Sequence, residues 1–531
     1  MSAEAPSTLW DLAVQSLLRS EALDISDLEY LPEKFFPLLL KEAFTGSHSK
    51  SVRVMVAAWP FSCLCLGDLI KTPLNMETFL AVLDGLDLLI TQKGRPRRWK
   101  LEVLDLRNVW PGAGREDCYS PRFLNKTQTV ESHAECGGKQ TLKVVFDYRL
   151  QWQRHMTEQQ ECFIQWAQYR KSFLHLCCQK LQIAWASDYN FPKLLRLFEP
   201  ECIQEVEVNT CLELKTLATF APVLGQMRNL HKLFLKGTCK SWRDEFEDEY
   251  RDLEETWINA FISQFPKLQT LQHLCMHNVY FLEGHLDQVL RYLKKPLETL
   301  SLTWCKLSES DWHYLSECPH ISQLKHLKLS GVLLFYGHSR PLKDLLERLT
   351  TTLQTLELEN CLLRPPDLSG LLPVLSLCSQ LTMVNFYETN LSVHDLKNLL
   401  LHTTSLSQLT LELYSLPREC YEEGDVLIER SSRVCTELMD TLRAVRRPKT
   451  VRFASYICYR CKSESFLYDL GISLSSTRFL TLRLFPDEDP GPTNTSWSLQ
   501  GQSLLKDEVL DISALQNLPI ELFPFLFKRA H

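Results

Sequence analysis

The motif Leu-x-x-Leu-x-Leu, or a close variant, recurs at Leu271/Leu274/Met276, Leu297/Leu300/Leu302, Leu324/Leu327/Leu329, Leu353/Leu356/Leu358, Leu381/Val384/Phe386 and Leu406/Leu409/Leu411. Its starts lie 26, 27, 29, 28 and 25 residues apart. A period of that length holds one short strand and one helix, and no single unit can bury its own leucines, so successive units must stack. Alternate strand leucines point inward, and segments such as Leu342-Lys-Asp-Leu-Leu-Glu-Arg-Leu349 cover them as helices. Leucine supplies 98 of 531 residues, whereas glycine supplies 18, so the chain is saturated with core-forming side chains.

In the second to fourth units the pattern runs on into Cys305-x-Leu307, Val332-x-Leu334 and Cys361-x-Leu363. That is the leucine-rich-repeat template with Cys or a small apolar residue at its asparagine position. The expected fold class is α/β, a leucine-rich-repeat solenoid of horseshoe form with an N-terminal helical cap and docking region. Irregular units are expected at Leu101/Leu104/Leu106 and Leu230/Leu233/Leu235, with an acidic insertion at residues 242–251 and a last strand at Phe479/Leu482/Leu484. The predicted organisation is a helical region at 1–100 and a solenoid at 101–485, irregular to about 265 and regular over 268–415. A Pro-rich linker follows at 486–500, then a duplicated segment at 501–531. Residues 117–140 read as an exposed loop or disordered insert because large apolar side chains are scarce there.

The duplication is explicit. Residues 15–43 recur as 502–530, and 17 of the 29 positions are identical. Each copy carries apolar residues at helical spacing and then Leu-Pro, where proline can open a new helix. Two accounts of the second copy stand: a docking element, or the remnant of a tandem-duplicated neighbour.

Several function classes are excluded or lack an anchor. The net charge of −7 removes the electrostatic reason to expect direct nucleic-acid binding. The N-terminus lacks a basic start followed by a long apolar run, and no stretch of about 18 apolar residues occurs, so neither a signal peptide nor a membrane span is expected. The expected compartment is cytoplasmic, with the nucleus second. Nineteen cysteines spread among leucines fit a reducing environment better than a disulfide framework, and the glycosylation patterns at Asn125 and Asn494 are set aside there. No glycine-rich phosphate loop, HExxH helix or GxSxG elbow occurs, so no enzyme activity and no cofactor are expected. No metal is expected either: Cys458-Tyr-Arg-Cys461 is the one CxxC and lacks a second ligand pair. Cys177 and Cys178 read as core packing, and the basic clusters 93–100 and 443–449 as solvated helix ends. Two LxxLL matches, Leu342–Leu346 and Leu396–Leu400, fall where the repeat needs packed helices.

The N-terminus offers a docking pattern. Leu9, Ala13 and Leu17 stand at i, i+4 and i+8 on one helical face, preceded by Thr8, with a small residue where a partner backbone can approach. The pattern resembles the elongin BC box, with Ala13 in place of its cysteine. Downstream, Leu31-Pro32-x-x-Phe35-x-x-x-Leu39 resembles the cullin-2 box.

Across nearly its whole length the chain resembles the PRAME family of leucine-rich-repeat proteins. The resemblance is carried by Gln15-Ser-Leu-Leu, Leu31-Pro32, Ala58-Trp-Pro-Phe61, residues 83–88, Arg95-Pro-Arg-Arg-Trp-Lys-Leu101, Leu176-Cys-Cys178, residues 224–227 and residues 296–302. The C-terminal copy and its linker depart from the family plan. The resemblance implies a substrate-receptor role in a cullin-2 RING ubiquitin ligase, with elongin B, elongin C and cullin-2 as partners and a protein substrate on the concave repeat face. It further implies effects on transcription, differentiation and proliferation. The rival reading is a repeat scaffold or corepressor that recruits no ligase.

Overall fold

A computed structural model of the chain describes residues 9–19, 24–69, 75–91, 98–107, 109, 141–150, 158–183, 195–209, 214–238, 248–334, 339–423, 425–455, 464–470, 477–484 and 497–499. The chain divides into two compact units: Met1–Thr210 with Gln226–Leu230, and Cys211–Gly225 with His231–His531. The loop expected at 117–140, both glycosylation patterns, the CxxC and the C-terminal copy lie outside the described residues.

The first unit opens with helices α1 (Leu9–Arg19), α2 (Ile25–Leu28), α3 (Phe36–Thr45) and α4 (Ser49–Ala57), then strand β1 (Cys63–Cys65), helix α5 (Leu66–Leu69) and helix α6 (Met76–Thr91). Gly85 lets α4 and α6 pack closely, since a Cβ there would stand 2.5 Å from the Arg53 carbonyl oxygen. Then come β2 (Val103–Asp105), β3 (Leu142–Leu150), α7 (Glu158–Tyr169), β4 (Leu174–Ile183) and β5 (Glu205–Asn209). The five strands pair in sequence order, all parallel. The region expected to be helical also carries one short strand: Cys63–Cys65 lies beside Val103–Asp105. The first compact unit runs to about residue 210 and so takes in both the helical region and the early strands.

The second unit contains α8 (Leu214–Leu224), β6 (Lys232–Thr238), α9 (Asp248–Ile262), β7 (His273–Val279), α10 (Leu286–Leu290), β8 (Thr299–Thr303), α11 (Glu309–Glu317) and β9 (His326–Lys328). It continues with α12 (Ser339–Leu349), β10 (Thr355–Glu357), α13 (Pro365–Leu375), β11 (Met383–Phe386), α14 (Val393–His402), β12 (Leu411–Ser415), the hairpin β13 (Tyr421–Glu422) and β14 (Asp425–Val426), α15 (Ile428–Val445) and β15 (Thr450–Ala454). Strands β6 to β12 and then β15 form one parallel ladder. The described part of the acidic insertion is the start of α9.

Local chemistry sets the repeat. Ser308 caps α11 and Ser392 caps α14, each exchanging hydrogen bonds with the aspartate three residues on. The Asp311 carboxylate also accepts the backbone N–H groups of Gly284, at 2.7 Å, and Leu286, at 3.1 Å, tying one cap to the preceding unit. Gly331 turns with φ +70°, and a Cβ there would lie 2.6 Å from the Trp304 ring. The first five leucine sets are buried as expected, and so are the leucines of both LxxLL segments, which belong to packed helices.

The sixth set needs correction. Leu411 faces outward, because β12 pairs Val384 with Glu412 and Phe386 with Tyr414. The inward residues are Leu409, Glu412 and Tyr414, so the unit starts 28 residues after Leu381 rather than 25. Glu412 is tolerated at an apolar position because Arg446 ion-pairs with it and the Tyr414 hydroxyl donates to it at 2.8 Å. Arg446 belongs to the basic cluster expected to be solvated; its side chain is 90 % enclosed instead. Beyond β15, strands β16 (Glu464–Leu470), β17 (Thr477–Leu484) and β18 (Trp497–Leu499) continue antiparallel. The last strand lies within the stretch expected to be linker, and Phe479 to Leu484 belongs to this antiparallel ending rather than to the parallel array.

Removing one member of a buried ion pair strands the other. Arg446→Met is expected to destabilise the second unit by about 3–5 kcal/mol in urea unfolding. The double variant Arg446→Met/Glu412→Leu should recover most of that loss; a double variant as unstable as the single one would refute the pairing.

Candidate partner-binding site

Helix α1 has two apolar stripes, one buried and one exposed among its described side chains. Val14 and Leu18, four residues apart, are 1 % and 2 % exposed and seat the helix, which packs against α3. Leu12 and Leu17 are 53 % and 41 % exposed, and Ala13 is exposed between them. Leu9 opens the helix, and Thr8 lies outside the described residues. The structure therefore leaves Ala13 and Leu17 outside the core, and it adds Leu12 to them.

The turn after α1 is built by short-range polar contacts. Asp24 caps α2 in a capping box with Asp27. The Arg98 guanidinium, from the first basic cluster, donates to the backbone carbonyls of Glu29 and Leu31. That contact holds the chain ahead of Pro32, which opens a single 3-10 turn, Glu33–Phe35, before α3. Pro32 is exposed, and Leu31 and Phe35 are half-buried. Leu39 is 1 % exposed and belongs to the core of the first unit with Phe36 and Leu40, so in this conformation it offers nothing to a partner. Phe36 meets the Trp59 ring edge-on at 6.1 Å, and the Trp59 indole N–H donates to the Cys63 carbonyl at 2.9 Å. The outward residue of α3 is Leu38, 49 % exposed, with Tyr30 projecting from the preceding turn. Sequence reasoning missed Leu12, Tyr30 and Leu38. The signal was adjacency, since a neighbour of each buried anchor on a short helix points to the other side.

The second unit presents a different surface on the strand side chains that alternate with the inward leucines. Register brings polar pairs side by side: His273 Nδ1 with Thr299 Oγ1 at 2.9 Å, His277 Nδ1 with Thr303 Oγ1 at 2.9 Å, and His326 Nδ1 with Thr355 Oγ1 at 3.0 Å. Lys328 meets Glu357 at 2.7 Å. Asn385 donates to Glu359 at 3.1 Å, and Asn360 donates to Glu388 at 2.6 Å. Burial pushes the imidazoles of His277 and His326 down to about 4, assisted by Lys236 and Lys328 for the first and by His273 and Lys325 for the second. Burial, then the neighbouring Glu359, pushes the Glu388 carboxyl up to about 8, and burial raises Glu359 as well. This face thus carries neutral imidazoles, hydroxyls and, at Glu388, a carboxyl group that holds its proton near neutrality. Fixed side chains on a rigid ladder can recognise a surface without moving.

Comparison with known proteins gives consistent matches. The family profile described as PRAME N-terminal domain matches residues 6–112 and, again, 494–531. The profile described as PRAME C-terminal domain matches residues 142–476. PRAME family member 12 of Homo sapiens is 47 % identical over 478 residues, covering 88 % of this chain and 97 % of its own. PRAME family member 8 of Homo sapiens is 44 % identical with 88 % and 98 % covered. The Mus musculus preferentially expressed antigen in melanoma-like protein 7 is 40 % identical over 475 residues, with 88 % and 97 % covered. The second N-terminal match coincides with the duplicated copy read from the sequence.

A carboxyl held protonated by burial makes stability fall with rising pH. The folded state binds the proton up to about 8, whereas an unfolded glutamate releases it near 4.5, so the loss accrues between those values. Glu388→Gln keeps an acceptor for Asn360 and removes the titration. It should match the wild type near pH 4.5 and exceed it by up to about 4–5 kcal/mol at pH 8 and above. Parallel denaturation curves at the two pH values provide the check. The two histidines act in another window: an unfolded imidazole gains its proton near 6.5 and a buried one near 4, so acidification through that range costs stability.

Proposed function

The chain belongs to the PRAME family, and from that premise we propose that it is the substrate-recognition subunit of a cullin-2 RING ubiquitin ligase. Its role is to bridge elongin B, elongin C and cullin-2 to a protein marked for degradation. The stacked strand–helix units act as a leucine-rich-repeat solenoid, and the polar strand face holds the substrate. The observation that carries the reading is the division of labour on α1. Val14 and Leu18 are buried and seat the helix, while Leu12, Ala13 and Leu17 are exposed and can meet a groove on another protein.

The mechanism is positional rather than chemical. An amphipathic helix laid into a groove gains affinity from its i, i+4 anchors, and Ala13 permits close backbone approach between Leu9 and Leu17. Cullin-2 contact falls to Pro32 and the half-buried Leu31 and Phe35, with Leu38 and Tyr30 beside them, since Leu39 is committed to the core. Holding a substrate close to the attached ligase raises the effective concentration of its lysines, and regulation of transcription, differentiation and proliferation follows from what is degraded. The work is assigned to the cytoplasm.

Ala13→Asp/Leu17→Asp changes two exposed positions and should leave the fold intact. In affinity capture with the full chain, it is expected to reduce elongin C recovery at least tenfold, with cullin-2 lost in parallel. A chain truncated at Pro486 tests whether the second copy docks as well. Wild-type protein that captures neither elongin C nor cullin-2 would leave the scaffold reading standing and overturn the ligase reading.

A further inference from the structure

Within the first unit, β4 alternates its side chains across the sheet. Leu174, Leu176 and Cys178 face the core, so His175 and Cys177 share the opposite face. Cys178 is the buried hydrophobe expected from its leucine-rich setting; Cys177 is buried too, 4 % exposed, but on the opposite face of the sheet. The next strand is preceded by the 3-10 turn Pro200–Cys202, laced to β4 by two backbone bonds. The Glu199 N–H donates to the Leu176 carbonyl at 3.2 Å, and the Gln204 N–H donates to the Gln179 carbonyl at 2.9 Å. This lacing delivers the Cys202 thiol beside Cys177 and His175.

The ring nitrogen and two sulfurs all lie within 4.8 Å of one another, and Cys202 Sγ stands 3.4 Å from His175 Nε2. Zinc bonds of about 2.3 Å to sulfur and 2.0–2.1 Å to nitrogen in a tetrahedral arrangement require ligand atoms roughly 3.5–3.8 Å apart. Small side-chain rotations on a fixed backbone meet that need. Two thiolates with an imidazole form a soft-to-borderline donor set that favours zinc over magnesium or calcium. Among the described residues no other group of three such ligands converges in this way.

The electrostatic surroundings agree with a neutral filled site. Lys143 pairs in register with His175 and would repel a lone cation, but two thiolates cancel the charge of a divalent ion, and Glu199 offsets the lysine.

We propose that His175 Nε2, Cys177 Sγ and Cys202 Sγ bind one zinc ion, with water in the fourth position. Binding replaces two S–H bonds by two S–Zn bonds and releases two protons to solvent, with no oxidant or reductant involved. The ion cross-links β4 to the turn before β5. Its fourth position is open, unlike that of a closed four-ligand structural site.

The test uses the full-length chain purified under reducing conditions without chelator. Elemental analysis should find about one zinc per chain. After removal of zinc, cobalt should produce thiolate-to-cobalt charge-transfer absorption together with the visible bands of a tetrahedral ion. Cys202→Ser and His175→Gln alter half-exposed residues and should each weaken zinc binding at least ~100-fold in competition with a chromophoric chelator. Cys458→Ser/Cys461→Ser should keep zinc and the cobalt spectrum unchanged. The proposal falls if wild-type protein takes up no stoichiometric zinc, or if cobalt binds without thiolate absorption. It falls equally if zinc survives Cys202→Ser but is lost with the CxxC variant, or if intact-mass and peptide analysis finds Cys177 and Cys202 joined as a disulfide. The cobalt spectrum of the wild type decides the question even if a variant fails to fold.

Discussion

Everything in this protein depends on the fact that one strand–helix unit cannot bury its own leucines. Each inward set, such as Leu297, Leu300 and Leu302, is fully enclosed only because parallel neighbours cover both edges of its strand. The backbone hydrogen bonds and the apolar burial are thus the same event, since pairing that satisfies N–H and C=O groups also closes the core. A one-residue slip would turn every leucine outward, so the register is held strongly wherever one face is apolar. The capping aspartate at 311, which also binds amides of the preceding unit, adds a polar lock to this arrangement.

The same constraint explains how the array ends. From β11 onward, inward positions pass from leucine to larger side chains: Phe386, Tyr414 and Phe453 stand on three adjacent strands with centroids 6.3 Å and 5.7 Å apart. Glu412 enters beside them and is held by Arg446, which arrives from the end of α15. A buried pair of this kind adds little stability over apolar packing, but it is costly to break. It therefore acts as a register mark at the place where the leucine pattern itself weakens. Past β15 the strands reverse direction, and the helix between strands is no longer needed.

Surfaces follow from what the core leaves over. On α1 the buried stripe is Val14 and Leu18, and on α3 it includes Phe36, Leu39 and Leu40. The neighbouring stripes, Leu12 with Ala13 and Leu17, and Leu38 beyond the turn held by Arg98, remain outside. On the strands, alternation hands every second residue to the other face, where His, Thr, Asn and Glu side chains pair across the ladder. The histidine and cysteine group on β4 arises by the same alternation, completed by the turn that precedes β5. On the strands, core and outward surface are therefore two readings of one period-two pattern.

By itself, the sequence determined the repeat period, the inward leucines of the first five regular units, the packed state of both LxxLL segments and the helical N-terminal face bearing Ala13 and Leu17. Each of these rests on local periodicity, which a linear pattern records. The tertiary structure alone decided that Cys63–Cys65 is a strand, that Leu39 is core rather than contact, and that Glu412 and Tyr414 replace Leu411 as the inward residues of β12. It also brought Cys202 to His175 and Cys177 across an interval that has no metal-binding spacing in sequence. Those features depend on which strand lies beside which and on a partner charge supplied from 34 residues away. A buried glutamate looks like an error until its arginine arrives, because low-dielectric surroundings reward only the completed pair.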